Sequence, residues 1–214
     1  MTCEHCCDSE KIFNEKEAKK RLRKYLKKGP RKTSHALLKT LKTELNGYKS
    51  VLDIGAGIGA VHLDLLENGL DRATHVDASL SYLRISEELA EKKGLKENVT
   101  YHYGDFMDEA PVIDQHDVVV LDKVVCCYPF MKDLLNSALS KSDHLVGLTF
   151  PMNNLIGKSI FLTGNLFLWL KGSSFRAYLH SIRDIRKVIS DNGFVLARRT
   201  KAFPWMVEVY KRAE

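Results

Sequence analysis

Four aspartates lie at or just after the ends of short apolar runs, where their carboxylates could bind a ligand. Asp53 lies in the run VLDI, Asp77 ends residues 74–77, Asp105 follows residues 99–103 and Asp122 follows residues 116–121. A carboxylate at Asp53 would repel a pyrophosphate but suits a cationic ligand with an ammonium group. An acid at the end of a second strand, as at Asp77, can accept both ribose hydroxyls of a nucleoside.

A glycine turn follows Asp53 directly. Gly55, Gly57 and Gly59 alternate between an apolar run and a helical pattern, so the unit is predicted as strand, turn and helix. The glycines allow a sharp turn and close approach of a ligand, and the helix directs its positive end at that ligand. The dinucleotide fingerprint tolerates alanine at its third glycine, here Ala60, so the glycines alone leave NAD open. Asp53 favours the cationic ligand instead.

The composition describes an ordinary globular protein. With 214 residues and 24.3 kDa, one domain with a proper core is expected. No signal peptide is visible, and no run reaches the roughly 18 apolar residues of a membrane span. Five cysteines, an odd number, argue against disulfides and favour a reducing, cytoplasmic location.

The net charge of +6 is concentrated near the amino terminus. Residues 11–49 contain fourteen Lys or Arg residues against three Glu. Such a basic arm, residues 1–48, could contact nucleic acid, an acidic membrane surface or an anionic substrate. A solvated helical face is the alternative.

A cysteine cluster begins the chain. Cys3, Cys6 and Cys7, with His5, could hold zinc or an iron–sulfur cluster, although a fourth ligand would have to come from elsewhere. The alternative is a frayed terminus without a ligand.

The periodicity indicates alternating strands and helices, with two strands in succession at the end. A helix starting near Thr33 or Ser34, either of which could cap it, precedes the first core strand. The last two strands are expected to pair as an antiparallel hairpin. Strands are predicted over residues 49–54, 74–77, 99–103, 116–121, 144–150, 194–200 and 205–211, and helices over residues 12–26, 33–45, 79–93, 130–139 and 182–191.

An apolar insertion at residues 152–180 does not fit this alternation. Its segment 155–170 is too short and too interrupted to span a bilayer, and it is predicted as an extra helix. We interpret the insertion as a lid over a large apolar substrate. A membrane-surface anchor, hence a peripheral membrane contact, and a helix packed on the core are the alternatives.

Four motifs in order, DIGAGIG, HVDAS, GDF and LDKVVCCYP, resemble the class I S-adenosylmethionine (SAM) methyltransferases over residues 49–211. The resemblance implies an α/β Rossmann-like fold, with a mostly parallel seven-stranded sheet, a C-terminal antiparallel hairpin and helices on both faces. It divides the chain into the arm, residues 1–48, and a SAM-binding domain, residues 49–214.

The resemblance also implies the cofactor, SAM, and its site. Asp53 would lie near the methionine ammonium, Asp77 would hold the ribose, and Asp105 with Phe106 would hold the adenine. Asp122 and the Lys123 backbone would flank the methionine portion. The implied cofactor residues are Tyr25, Gly29, Asp53, Gly55, Ala56, Gly57, Asp77, Ala78, Asp105, Phe106, Asp122 and Lys123.

A narrower likeness concerns the acceptor. The loop D-x-x-[IV]-x-x-Y-P, the segment RAYLH and the basic arm with Arg21, Arg23 and Tyr25 resemble the magnesium-protoporphyrin IX O-methyltransferase family. The likeness implies a small-molecule acceptor, large and apolar or porphyrin-like, oriented by Arg176, Tyr178 and His180. The candidate catalytic residues are Tyr25, Cys126, Cys127 and His180.

The loop departs from that family, because Cys126 and Cys127 stand where its members carry a histidine. The acid–base role therefore does not carry over. The two residues are either small packing residues or thiols facing the acceptor. In the second case the amino-terminal cysteines could fold over the same pocket and bind a soft metal or metalloid. His180 could equally be a hydrogen-bonded structural histidine.

Two other functions stay open. The basic arm allows an RNA methyltransferase, but no N/D-P-P-Y/F tetrad follows the fourth strand, so a nucleic-acid partner is not expected. A non-catalytic module that binds SAM or a metal is the third possibility.

Overall fold

The structure is a computed structural model that describes residues 12–170, 173 and 175–213, without the side chains of residues 155, 156 and 160. The elements are α1 (Glu15–Lys28), α2 (Lys32–Lys42), β1 (Ser50–Ile54), α3 (Ala60–Glu67), β2 (Arg72–Asp77), α4 (Leu80–Lys92), β3 (Val99–Tyr103), α5 (Phe106–Glu109), β4 (His116–Asp122), α6 (Met131–Ser140), β5 (Ser142–Pro151), α7 (Leu155–Leu170), α8 (Ile182–Asp191), β6 (Phe194–Ala202) and β7 (Trp205–Arg212). Single 3₁₀ turns cover Lys96–Asn98, Ala110–Val112 and Val125–Cys127.

The seven strands form one sheet in the order β3-β2-β1-β4-β5-β7-β6. Strands β1 to β5 are parallel to one another, and β7 pairs antiparallel with both β5 and β6. The expected parallel sheet with a C-terminal hairpin is thereby confirmed. The strand order reverses between β1 and β4, and in such sheets a ligand binds in the crevice beyond the carboxyl ends of those strands.

Helices cover both faces, because the central strands are apolar on both sides. One buried cluster contains Leu52, Leu121 and Phe150 with α6 and α8. The other contains Val51, Val118 and Val120 with α2, α3 and α4. The arm helix α2 therefore belongs to the core of the domain rather than to its surface.

Local signals set most helix ends. Asn14 caps α1, its side chain accepting from the Glu17 amide at 3.2 Å, so the helix begins later than expected. Ser79 caps α4 as predicted. The expected cap on α2 is wrong: the helix begins at Lys32 without a side-chain cap, and Ser34 donates to Asp122 instead.

The insertion forms the predicted extra helix, α7. Leu162, Leu166, Phe167, Trp169 and Leu170 on it are all more than half exposed. Within the described part of the chain, no helix is both long and apolar enough to cross a membrane.

The cysteines of the amino terminus, Cys3, Cys6 and Cys7, lie outside the described residues. Among the residues that are described, no group of three or more His, Cys, Asp or Glu side chains could hold a metal ion.

Candidate functional site

A cavity of about 460 Å³ opens beyond the carboxyl ends of β1, β2 and β4, where the strand order reverses. Every residue that the resemblance implied for the cofactor lines it, together with both loop cysteines. These residues are Tyr25, Gly29, Asp53, Gly55, Ala56, Gly57, Asp77, Ala78, Asp105, Phe106, Asp122, Lys123, Cys126 and Cys127.

The glycine turn forms the floor of the cavity. Gly55 has a φ of 62°, and a Cβ there would lie 2.6 Å from Cγ2 of Val124, so only glycine fits without a shift of the neighbouring loop. Its amide donates to the Val76 carbonyl at 2.8 Å, which ties the turn to β2. The turn is therefore held against β2, and its main chain lines the cavity where a ligand would bind.

Asp77, at the end of β2, is held by two backbone amides. Gly57 donates to Oδ2 and Ser79 donates to Oδ1, each at 2.8 Å. Burial raises the pKa of Asp77 to about 6, and the neighbouring Asp53 charge contributes to the rise. A carboxylate oxygen has two lone pairs, so both oxygens can still accept from the hydroxyls of a ribose.

Asp105 caps the short helix α5 and accepts from the Met107 amide at 3.0 Å. The Tyr128 hydroxyl also donates to its two oxygens, at 3.1 and 3.0 Å. Tyr128 lines the cavity too. The sequence analysis quoted Tyr128 in the motif without giving it a role, and the arrangement shows that it orients Asp105.

Asp122 is held by two hydroxyls from different elements. Ser34 of α2 donates to Oδ2 at 2.5 Å, and Thr149 of β5 donates to Oδ1 at 2.7 Å. The Thr149 hydroxyl in turn accepts from the Lys123 amide at 2.9 Å. Lys123 has a φ of 67°, rare for a side chain larger than glycine, and this bond stabilises its conformation.

Asp53 is 1% exposed, and burial raises its pKa, while its hydrogen bond to His62 opposes the rise. His62 did not figure in the sequence analysis. Its position in the first turn of α3, nine residues after Asp53, was the available signal.

The arm covers the cavity from above. Phe13, before α1, packs edge-on against Phe175, with ring centroids 5.8 Å apart, and lies 5.9 Å from the ring of Tyr82. The Ser79 hydroxyl donates to the Phe13 carbonyl at 2.6 Å. The Arg21 guanidinium lies 5.5 Å from the centroid of the Tyr82 ring. These contacts join residues far apart in the chain, so no local sequence pattern predicts them.

Cys126 and Cys127 lie in the 3₁₀ turn after β4. Their Sγ atoms are 3.8 Å apart, where one thiol can donate to the other sulfur, and they lie 3.5 and 3.3 Å from the Lys123 carbonyl oxygen.

The segment RAYLH braces this loop from behind. The Tyr178 amide donates to the Cys126 carbonyl at 2.7 Å, and Nε2 of His180 donates to the Tyr128 carbonyl at 2.9 Å. Nη1 of Arg176 donates to the carbonyls of Ser173 and Phe175. The structure does not place Arg176, Tyr178 or His180 among the residues lining the cavity. The bond from His180 to the Tyr128 carbonyl fits the alternative that His180 is a hydrogen-bonded structural histidine.

The strand order, the glycine turn and the acids at the strand ends together are typical of the class I SAM-dependent methyltransferase fold. Residues 51–142 match the family model described as a methyltransferase domain. The match ends at the first residue of β5, so it covers β1 to β4 and neither the arm nor the insertion.

Two curated relatives illustrate the similarity. A magnesium-protoporphyrin O-methyltransferase of Synechocystis is 29% identical over 155 residues, covering 69% of this chain and 64% of that protein. A ribosomal protein L11 methyltransferase of Chromobacterium violaceum is 29% identical over 118 residues, covering 55% and 38%. The chain therefore spans between about a third and two thirds of the length of these relatives.

Solved structures agree on the fold. The crystal structure of magnesium protoporphyrin IX methyltransferase from Synechocystis with bound S-adenosylhomocysteine (SAH) has a TM-score of 0.68 at 24% identity, covering 85% of this chain and 82% of that one. A putative sarcosine dimethylglycine methyltransferase from Galdieria sulphuraria has a TM-score of 0.67 at 16% identity, with 85% of each chain covered.

Proposed function

We propose that the protein transfers the methyl group of SAM to a small-molecule acceptor that is large and apolar or porphyrin-like. One observation carries the proposal: the cavity that all the cofactor candidates line is also lined by apolar and aromatic side chains. Phe13, Leu134, Phe175 and Trp205 are among them. A large apolar acceptor would find apolar contacts there and be kept out of water.

Cations in the same lining suit an acidic acceptor. Arg21, Lys24 and Arg31 line the cavity from the arm. Burial lowers the pKa of Arg31, and the neighbouring charge of Arg21 lowers it further. An anionic group of the acceptor would relieve that repulsion, because it would pair with the clustered charges. The similarity to a magnesium-protoporphyrin O-methyltransferase supports an acceptor with carboxylates.

A carboxylate acceptor also explains how the loop works without a histidine. Such a group is already ionised at neutral pH, so no base is required to activate it. SAM supplies the electrophilic methyl group. Asp53 binds its ammonium, Asp77 binds the ribose and Asp105 binds the adenine amino group. The chain then has to align the acceptor with that methyl and exclude water, which favours a reaction that neutralises charge.

The helix α7 acts as a lid in this proposal. Its Phe161 ring contacts Trp205 of the cavity wall, with centroids 6.5 Å apart. The Asn165 side chain is tied to Ala177 by two hydrogen bonds of 2.8 Å, which connect α7 to the segment that carries Phe175. Opening α7 would therefore move the aromatic wall of the acceptor site. Contact of its exposed face with a membrane surface stays a prediction.

Calorimetric titration with SAM and SAH is the first test. We expect micromolar-range binding to the reduced protein, lost in Asp77→Ala and retained in Asp71→Ala, because the exposed Asp71 side chain only pairs with Lys49. If well-folded wild type bound neither SAM nor SAH, SAM would be ruled out as the cofactor, and the proposed activity with it.

Transfer of a radiolabelled methyl group is then measured with magnesium protoporphyrin, metal-free protoporphyrin, ribosomal protein and bulk RNA as acceptors. Label in a porphyrin supports the proposal. Label only in protein or RNA would assign the enzyme to a macromolecular acceptor. SAM binding without label in any of the four would support a non-catalytic module.

A further inference from the structure

Two adjacent thiols in the cavity have no part in the methyl transfer proposed above. Cys126 and Cys127 both line the cavity, and a carboxylate acceptor requires no thiol. Their Sγ atoms lie side by side, 3.8 Å apart, and both are near the Lys123 carbonyl oxygen. The 3₁₀ turn, braced by the Tyr178 amide on the Cys126 carbonyl, holds this spacing.

The distance between the sulfurs is close to what one shared partner atom requires. Two thiolates at about 2.3 Å from a common pyramidal atom, with an angle of about 100° between the bonds, are about 3.5 Å apart, so the Sγ atoms would have to approach by about 0.3 Å. A linear arrangement would need roughly 4.6 Å with the same bond lengths. The pair thus fits an atom that binds both sulfurs in a bent geometry, with only a small movement of either side chain.

One kind of atom can be held by these two sulfurs without a further ligand from the protein. Trivalent arsenic needs only three bonds. Two thiolates and one group that the metalloid brings with it complete its coordination, and the adjoining cavity leaves space for that third group.

The charges around the pair favour attack by one of the two sulfurs. The hydrogen bond with Cys126 lowers the pKa of the Cys127 thiol, and the Arg21 charge lowers it further. The same hydrogen bond and burial raise the pKa of Cys126. Cys127 is therefore the sulfur that reacts first, because the thiolate is the nucleophilic form. Cys126 keeps its proton for the leaving oxygen.

We propose that Cys126 and Cys127 form a binding site for a trivalent arsenical. In the reaction with an arsenoxide, R–As=O, two As–S bonds form and the As=O double bond breaks. The two thiol protons leave with the oxygen as water. Arsenic stays trivalent and neither sulfur is oxidised, so no other reactant is needed. This site stands independently of the identity of the methyl acceptor.

The test uses the full chain with Cys3→Ser, Cys6→Ser and Cys7→Ser, so that the loop pair holds its only remaining thiols. Phenylarsine oxide is the probe, read by intact mass and by titration of reactive thiols. We expect one arsenical per chain with loss of both thiols. The adduct should be reversed by a dithiol such as dimercaptopropanol and resist a monothiol at the same concentration.

Single substitutions, Cys126→Ser and Cys127→Ser, separate chelation from reaction with one sulfur. Each should bind the arsenical at least about a hundredfold more weakly, because only one As–S bond can form. Thermal unfolding verifies that each variant is folded, and Cys127→Ala provides a second variant at the less buried position. An adduct of equal stability in a single-thiol variant, or no adduct in the parent, would overturn the site.

Discussion

Nδ1 of His62 donates a hydrogen bond to Oδ2 of Asp53 over 2.9 Å, and the His62 backbone amide donates to the same oxygen at 3.3 Å. Both side chains are buried, with 0% and 1% exposed. Asp53 lines the cavity, whereas His62 lies behind it. Oδ2 is thereby occupied from within the protein, and Oδ1 is the oxygen left for the ammonium of the cofactor.

Replacing His62 by leucine should weaken SAM binding without affecting ligands that lack the ammonium. Without the imidazole donor, the pKa of the Asp53 carboxyl rises further and its ionised form is less stable. We expect SAM affinity to fall about tenfold or more, the range of one hydrogen bond to a charged group. Affinity for 5′-methylthioadenosine should change by less than about twofold, as measured by calorimetry.

The matched variant is His62→Asn, whose side-chain amide can donate from nearly the same position as Nδ1. It should restore most of the lost SAM affinity. An equal loss for both nucleosides in His62→Leu would mean that His62 supports the fold of the glycine turn rather than the charge of Asp53.

Nucleoside binding should weaken in acid because of Asp77. Its pKa of about 6, against an ordinary value of 3.8, means that the carboxyl is protonated below pH 6 in the folded protein. If the ionised form accepts both ribose hydroxyls as proposed, 5′-methylthioadenosine should bind about tenfold more weakly at pH 5 than at pH 7. Asp77→Asn should bind weakly at both values, with no such slope. A wild-type affinity independent of pH would contradict this role.

The same shift affects stability with the opposite sign. Between about pH 4 and pH 6 the folded state holds a proton on Asp77 that the unfolded state has released. The contribution of Asp77 to the free energy of unfolding therefore decreases as the pH rises through this range. Urea unfolding of wild type and Asp77→Asn across these pH values would reveal the difference.

Removing the hydroxyl of Thr149 should lower the free energy of unfolding, although the change in side-chain size is small. Thr149 is fully buried, donates to Asp122 and accepts from the Lys123 amide. Thr149→Val keeps the shape but leaves both groups short of a partner, so we expect a loss of about 1–3 kcal/mol in the free energy of unfolding. Thr100→Val, at an exposed position of the edge strand β3, should stay within about 0.5 kcal/mol. Equal effects in urea unfolding would argue against the Asp122 network.

Gly59 should be intolerant of a side chain for a reason beyond its backbone angle. Its φ of 78° is close to the φ of Gly94, 69°, where a Cβ would meet nothing within 4 Å. At Gly59 the Cβ would collide with the Ser86 hydroxyl and lie 2.8 Å from the His62 ring. Gly94→Ala should cost about 1–2 kcal/mol of the free energy of unfolding. Gly59→Ala should cost clearly more or prevent folding, and equal costs would refute the close approach.

The face of α7 gives a prediction for membranes. Trp169 is 62% exposed, and the chain has one other tryptophan, Trp205, in the cavity wall. In Trp205→Phe, the remaining fluorescence should shift to shorter wavelength with vesicles of anionic lipid if α7 lies on their surface. Trp205→Phe combined with Leu162→Gln and Leu166→Gln is the control with a weakened apolar face. An unchanged spectrum with vesicles would leave α7 as a lid alone.

Sequence alone predicted the parts of this protein whose signals are local. The strand, turn and helix around Gly55 follow from glycine spacing and apolar period, and Asp77 and Asp105 follow from strand ends. Phe13, Arg21 and Phe175 could not be assigned in this way, because they meet only when the arm folds over the sheet. Ser34 shows the limit most clearly: its hydroxyl was expected to cap its own helix and instead binds Asp122, 88 residues away.

The close contact between α2 and β5 has a consequence for the order of folding during synthesis. A Cβ at Gly147 would lie 2.9 Å from Cδ2 of Leu41, so the helix lies directly on the strand. Leu37 and Leu41 also share a buried cluster with Val207 and Val209 of β7, the last of the seven strands in chain order. Helix α2 is synthesised before every strand of the sheet, and its partners on β7 follow only after the other six strands. Until β7 emerges, the apolar face of α2 therefore has no complete partner.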